Sequence, residues 1–200
     1  MTDETTAGPD PYFRKRISFA HKGERFEFDI AHTLFSGFEV DQGTQLLLRS
    51  LEVGSPRQIL DLGCGYGVLG IVLARLFPAA QVTLVDSDLL AVRYAQRNCA
   101  LNGVGNTQVI GSVGLEQAPL GPYDLIVCNI PAKIGDEAIE QEFILAPWQR
   151  LRQAGDFWFV VVSGLNRLIP KIGSRHSLPL TAVRKRSGHT VYRLHNRDAR

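Results

Sequence analysis

Apolar and polar positions follow two different rhythms along the chain. In Arg25-Phe26-Glu27-Phe28-Asp29-Ile30 they alternate with period two, which predicts a strand with one buried face. His21-Lys22-Gly23-Glu24 reads as the turn before it, within an apolar-rich stretch that starts at Tyr12. A loop through Leu34 and Val40 then leads into a helix over Gln45–Leu51, capped by Asp41 or Thr44. From Gln58 the pattern is regular. Short apolar runs ending at Asp61, Asp86, Ile110 and Asn129 predict strands. Helical stretches fall between them: Val68 to Phe77, stopped by Pro78, and one begun by a Ser87 or Asp88 cap that ends at Asn102-Gly103. A helix is expected from Asp136 to Leu151, bent at Pro147. Phe157–Val162 is apolar throughout, as a strand buried on both faces should be. A helix near Asn166–Ile172 and two closing strands, Leu180–Lys185 and Thr190–His195, complete the series.

Strands alternating with helices predict an α/β fold. It is a Rossmann-like, doubly wound, mostly parallel seven-stranded sheet with an N-terminal extension. Residues 1–11, polar and ended by Pro9-Asp10-Pro11, are expected to be a disordered tail. Residues 12–56 form the extension and 57–196 the core of a single domain. In such sheets ligands sit beyond the C-terminal strand ends. Three of those ends carry Asp61, Asp86 and Asn129.

Composition adds boundaries rather than a function. No apolar run is long enough to span a bilayer, and the acidic Met1-Thr2-Asp3-Glu4-Thr5 lacks a secretory pattern, so a cytoplasmic protein without membrane contact is expected. Cys64, Cys99 and Cys128 form no CxxC pair and the five histidines show no ligand spacing, so no metal is expected. The net charge of +2 conceals an asymmetry: +8 from Arg167 onward against −6 before it. That basic end is either a contact for phosphates or a solvated face.

The candidate chemistry centres on Asp61-Leu62-Gly63-Cys64-Gly65-Tyr66-Gly67-Val68-Leu69-Gly70, where a strand meets a helix through a glycine-rich turn. Gly65-x-Gly67-x-x-Gly70 formally fits a dinucleotide fingerprint, with Asp86 placed for ribose hydroxyls. An acid ending the strand, however, repels a pyrophosphate and suits a cationic ligand. S-adenosylmethionine carries an ammonium and a sulfonium and no phosphate. A nicotinamide dehydrogenase is thereby the weaker alternative.

This stretch resembles the first motif of class I S-adenosylmethionine-dependent methyltransferases. Leu34-Phe35-Ser36 and Val40-Asp41-Gln42-Gly43-Thr44 resemble the entry motif of the narrower methyltransferase small domain family, which includes ribosomal RNA guanine-N2 methyltransferases. The resemblance implies that Gly63, Cys64, Gly65 and Gly67 line the methionine part of the cofactor. Asp61 would hold its ammonium through water or backbone. Asp86 and Ser87 would serve the ribose, Ser112 the adenine side, and Asp41 and Thr44 would close the methionine end. Asn129 would hold the target amine with the Ile130 carbonyl while Pro131 fixes the geometry. The implied reaction is methylation of a planar nitrogen, in first place the exocyclic amine of guanine in RNA, with no metal and an open oligomeric state. Alternatives are a small-molecule or protein-amide methyltransferase, and a cofactor-binding protein without activity.

Two departures from the family pattern stand out. Asn129-Ile130-Pro131-Ala132 replaces Asn-Pro-Pro-aromatic, so no ring stacks on a base there. Phe35 and Phe38 are either substitutes for it or core residues, and Lys133 is either a phosphate contact or a solvated lysine. Val113 stands where an acid commonly receives the adenine amine.

Overall fold

The computed structural model describes residues 10–34 and 39–197. The N-terminal extension opens with a hairpin, β1 (Phe13–His21) and β2 (Glu24–Ala31), joined by Lys22-Gly23. Both turn residues have positive φ, +49° and +83°, the geometry whose twist matches two antiparallel strands. Helix α1 (Gln42–Ser50) follows. The Asp41 carboxylate caps it by accepting from the N–H groups of Gly43 and Thr44, so the cap is Asp41 and not Thr44.

The core is the expected seven-stranded sheet. Its strands are β3 (Gln58–Leu62), β4 (Gln81–Asp86), β5 (Thr107–Gly111), β6 (Tyr123–Asn129), β7 (Leu151–Val162), β8 (Leu180–Arg186) and β9 (His189–His195). They lie in the order β5-β4-β3-β6-β7-β9-β8, parallel except for β9, which runs antiparallel to both neighbours. Helices α2 (Val68–Leu76) and α3 (Leu89–Leu101) connect β3, β4 and β5. Asp88 caps α3 through the Leu90 N–H. Each central strand feeds two cores: Ile59, Leu125, Val127, Trp158 and Val160 face α1, α2 and α3, whereas Leu60, Ile126, Cys128, Phe157 and Phe159 face the opposite layer. The chain turns outward in opposite directions after β3 and after β6, so the crevice of a doubly wound sheet opens between their C-terminal ends.

The segment after β6 departs from expectation. Instead of one helix reaching Leu151, α4 (Asp136–Ala138) runs into a π-helical stretch, Ile139–Leu145, and then α5 (Ala146–Gln149). Pro147 has no N–H to return to an upstream carbonyl, and its ring crowds a regular turn there. The widened turns lie immediately N-terminal to it. Leu151 is already strand, and β7 is longer than its apolar run because Tyr123 pairs with Leu151 across a register shift. The later helix is also displaced: a 3-10 turn at Ser163–Leu165 precedes α6 (Leu168–Arg175), where Pro170 occupies the first turn that tolerates it. Glu140 on the π-helical stretch is buried and accepts from Arg175 (2.6 and 2.8 Å) and His176 (2.6 Å), which ties this segment to α6.

The hairpin docks on α3 through two asparagines. Asn98 accepts from the Asp29 N–H (2.8 Å) and donates to the Asp29 carbonyl (3.0 Å) and the Tyr66 carbonyl (2.9 Å). Asn102 satisfies Glu27 in the same two-way manner. Asp10, within the stretch expected to be disordered, accepts from the Tyr94 hydroxyl and pairs with Arg93 and Arg97. Because Asn98 is fully buried, Asn98→Ala would strand three backbone groups away from water. A loss of about 3 kcal/mol is expected in urea unfolding with an unchanged m-value. A loss below about 1 kcal/mol would show that the hairpin does not depend on this bridge.

Candidate active site

The glycine turn is held open by its own backbone. Gly63, Gly65 and Gly67 all adopt positive φ (+68°, +56° and +97°), so the chain doubles back at the end of β3 before entering α2. The N–H groups of Gly63 and Cys64 both donate to the Val85 carbonyl at 2.9 Å, and Gly67 donates to the Cys64 carbonyl. A Cβ on Gly65 would meet no protein atom within 4 Å, because it would project into the crevice. At Gly70 the requirement is the reverse: a Cβ would stand 2.5 Å from the Leu84 side chain, so glycine is needed for α2 to approach β4.

Two carboxylates secure the turn from below. Asp86, at the end of β4, accepts from the Gly65 N–H (2.8 Å) and the Asp88 N–H (2.9 Å), one on each oxygen. Lone pairs remain on both oxygens for a ligand hydroxyl. Asp61 is fully buried, and its Oδ2 accepts from the Gly70 N–H at 2.7 Å while Oδ1 has no partner. Burial, partly opposed by that hydrogen bond and reinforced by Asp86, pushes its carboxyl up to about 7. Burial also raises the Cys64 and Cys128 thiols well above their usual range, which leaves neither as a thiolate nucleophile.

The third strand end supplies the most informative contact. Asn129 Nδ2 donates to Asp41 Oδ2 at 2.6 Å and to Thr44 Oγ1 at 3.0 Å. An ionised carboxylate only accepts, so the amide must turn its nitrogen toward Asp41, and Oδ1 is left as an acceptor for a ligand N–H. Asp41 is itself fixed by capping α1. The next residue, Ile130, is buried and donates its N–H to the Val160 carbonyl (3.0 Å), which fixes the Asn129–Ile130 peptide. His189 adds a flank: Nδ1 lies 2.9 Å from the Ser187 carbonyl, and Nε2 lies 3.9 Å from Asp41 Oδ1.

Two cavities meet at these residues, and both are lined by Gly63, Gly65 and Asn129. One, of about 100 Å³, extends over Asp41, Thr44, Cys64 and Tyr66. The other, of about 480 Å³, extends over Asp86, Ser87, Ser112, Val113 and Pro131. Carboxylates line both, Glu39 and Asp41 in the first and Asp86 and Glu142 in the second, while no Lys or Arg does so among the described residues. That charge favours a cationic ligand without phosphate and opposes a dinucleotide.

The expected residues are therefore brought together with some exceptions. Asp61 lies behind the turn and lines neither cavity, and its one hydrogen bond is to the Gly70 N–H of α2. Gly67 shapes the turn without lining either cavity. Ser112 lines the larger cavity, but its hydroxyl is engaged by the Gly114 carbonyl and the Gln117 N–H. Lys133 is exposed and outside both cavities. Phe35 and Phe38 lie outside the described residues. Asp41 and Thr44, expected at the methionine end, also grip Asn129. Sequence reasoning missed Ile134, Glu142 and Phe143, which line the larger cavity, Ile134 from the loop before α4 and Glu142 and Phe143 from the π-helical stretch. Ile134 is a half-exposed apolar surface two residues beyond Ala132, where the absent ring would stand. Glu142 brings a carboxylate to the side where Val113 removed one, with its Oε2 3.5 Å from where a Cβ on Gly114 would sit. Among the described residues no His, Cys, Asp and Glu group is placed to hold a metal, and no helix is long and apolar enough to cross a membrane.

Comparison with known proteins agrees with this geometry. Residues 25–192 match the methyltransferase small domain family. Ribosomal RNA small subunit methyltransferase C of Pseudomonas entomophila is 38% identical over 135 residues, covering 66% of this chain and 40% of that protein. Ribosomal RNA large subunit methyltransferase G of Shewanella woodyi is 31% identical over 137 residues, covering 61% and 32%. Among solved structures, the 16S rRNA N2 G1207 methyltransferase of T. thermophilus, in complex with AdoMet and guanosine, superimposes with a TM-score of 0.77 at 28% identity, covering 94% of this chain and 52% of that one. The chain thus spans about half or less of the length of these relatives.

Proposed function

The chain belongs to the methyltransferase small domain family, and on that premise we propose that it is an S-adenosylmethionine-dependent N-methyltransferase whose acceptor is the exocyclic amine of a guanine in ribosomal RNA. The observation that carries this reading is the amide of Asn129, locked by Asp41 and Thr44 at the junction of two acidic cavities. The P. entomophila relative is a methyltransferase of small-subunit ribosomal RNA, and the T. thermophilus one methylates N2 of a guanine in 16S rRNA.

When bound, S-adenosylmethionine supplies an electrophilic methyl group on a sulfonium. The chain's own residues do the rest by position and charge. Gly63, Cys64 and Gly65 would offer their backbone to its amino-acid part, and its ammonium and the ionised form of the buried Asp61 would favour each other. Asp86 would accept from the ribose hydroxyls, with Ser87 beside it, and Ser112, Val113 and Glu142 would line the adenine end. An amine conjugated to a ring is a weak nucleophile, so the acceptor must be oriented and desolvated. Asn129 Oδ1 and the Ile130 carbonyl accept its two N–H groups and direct the nitrogen lone pair inward, while Pro131 limits the freedom of that peptide. Ile134 supplies an apolar contact for the base. In this reading residues 57–196 carry the cofactor, and residues 12–56 deliver Asp41 and Thr44.

Incubating the protein and labelled S-adenosylmethionine with RNA, protein and metabolite fractions from a strain lacking this chain tests the proposal. Label is expected in RNA. Label in the protein or metabolite fraction alone would reassign the acceptor, and cofactor binding with no label anywhere would make the chain a binding protein.

A further inference from the structure

Seven of the sixteen arginines among the described residues pair with a carboxylate. Arg16 pairs with Asp29, Arg75 with Glu24, Arg93 and Arg97 with Asp10, Arg152 with Asp124, Arg175 with Glu140 and Arg193 with Asp156. Three that have no carboxylate partner among the described residues come from two separate elements and converge. Arg49 lies on α1, and Arg184 and Arg186 lie on one face of β8, where alternate residues point the same way. They line a single groove of about 260 Å³ together with Gln42, Gln45 and Ser187. Gln42, Gln45 and Arg49 follow the spacing of one helix face, so the groove runs along α1 for about 10 Å. Its walls are polar, and Arg49 is oriented by a hydrogen bond to Gln45 (3.2 Å).

Protection of an exposed sheet edge accounts for charges on β8, which is the last strand of the sheet. It does not account for Arg49 on a different element, nor for three guanidinium groups facing one groove. Cations that line one groove repel one another and are stabilised by a polyanion, which releases its counterions on binding them. The groove is also continuous with the acceptor site: Glu39 lines both it and the smaller cavity, and the helix that forms its wall begins at Asp41, the partner of Asn129. Glu39 is the one acid in the groove, and it stands at the end nearest Asn129, where the nucleic acid must present a base and not a phosphate.

We propose that the groove between α1 and β8 binds the sugar-phosphate backbone of the RNA substrate and leads the target nucleotide to Asn129. The inference rests on the RNA reading above but assigns a separate site, whose arginines and glutamines do not line the cofactor cavities. Guanidinium groups suit it because their planar donor fork matches phosphate oxygens.

The test compares wild type with the triple variant Arg49→Ala, Arg184→Ala, Arg186→Ala in fluorescence anisotropy against a guanine-containing RNA oligomer over a salt series. The variant should bind at least tenfold more weakly at low salt, and its log-affinity slope against log salt should flatten by about 2, from about 0.7 per lost phosphate contact. Its calorimetric affinity for S-adenosylmethionine should match wild type, which excludes misfolding. Lysine at all three positions should restore most of the slope. Equal RNA affinity and slope in wild type and the alanine variant would overturn the groove, as would wild-type binding to an acidic protein in place of RNA. Failure is separable from failure of the functional reading. RNA methylated equally by both proteins removes the groove alone, whereas groove-dependent RNA binding without methyl transfer removes the acceptor assignment alone.

Discussion

Asn129→Ala should lower methyl transfer by about three orders of magnitude while cofactor affinity stays within a few-fold of wild type. The side chain does two things at once. Its nitrogen is anchored 2.6 Å from Asp41 Oδ2 and 3.0 Å from Thr44 Oγ1, and in the proposed reaction that anchoring would present Oδ1 to the target amine. Alanine removes the acceptor atom and leaves the glycine turn, Asp86 and the hairpin untouched, so binding and turnover separate. A positioned hydrogen-bond partner at a reacting centre commonly contributes two to three orders of magnitude, and orientation of a weak nucleophile adds to it. Single-turnover transfer from labelled cofactor, alongside calorimetry, reads the two effects. Turnover within about tenfold of wild type would remove Asn129 from the reacting centre.

The second large effect distinguishes two glycines of the same turn. Gly65→Val should leave a folded protein that does not bind S-adenosylmethionine. A Cβ there meets no protein atom within 4 Å, so the cost to folding is chiefly the left-handed backbone (φ +56°), about 1–2 kcal/mol, with a modestly lower melting temperature. Its branches would instead occupy the space shared by the two cavities. Gly70→Val should fail in the opposite way. With a Cβ 2.5 Å from Leu84 and 3.1 Å from Asp61 Oδ2, it overpacks the contact between α2 and β4 and should lose several kcal/mol of stability. Thermal melts with and without cofactor separate them: Gly65→Val keeps its melt and loses the ligand-induced rise, and Gly70→Val loses the melt itself. A full ligand-induced rise in Gly65→Val would place the cofactor elsewhere.

Much of this architecture is legible in the chain because it depends on local chemistry. Period-two alternation marks β2, apolar runs ended by polar residues mark β3, β4 and β6, and the acids and amide at those ends mark the crevice. What was not legible depends on contacts between distant segments. The grip of Asp41 and Thr44 on Asn129 spans more than 80 positions and exists only once α1 packs beside β6. Asn98 reads as an ordinary polar residue within a helix, and its burial appears only when the hairpin, 69 positions upstream, docks on it. Pro147 signals a bend in residues 136–149, yet nothing local specifies that the turns before it widen and swing Glu142 and Phe143 over the larger cavity. Arg49 and Arg184 are likewise unrelated in sequence until α1 and the sheet edge form one groove. Asp61 illustrates the converse: its type and place at the strand end were visible, whereas its complete burial with one unpartnered oxygen was not.

The central claim is transfer to a guanine amine, and the most direct test is nucleoside analysis of the product. Ribosomal RNA from a strain lacking this chain would be incubated with the protein and isotopically labelled S-adenosylmethionine, digested, and resolved by mass spectrometry. The geometry at Asn129 and Ile130 predicts label in N2-methylguanosine, and none with Asn129→Ala. Label in a ring nitrogen, a ribose or another base, or an unlabelled RNA beside a labelled protein fraction, would contradict it.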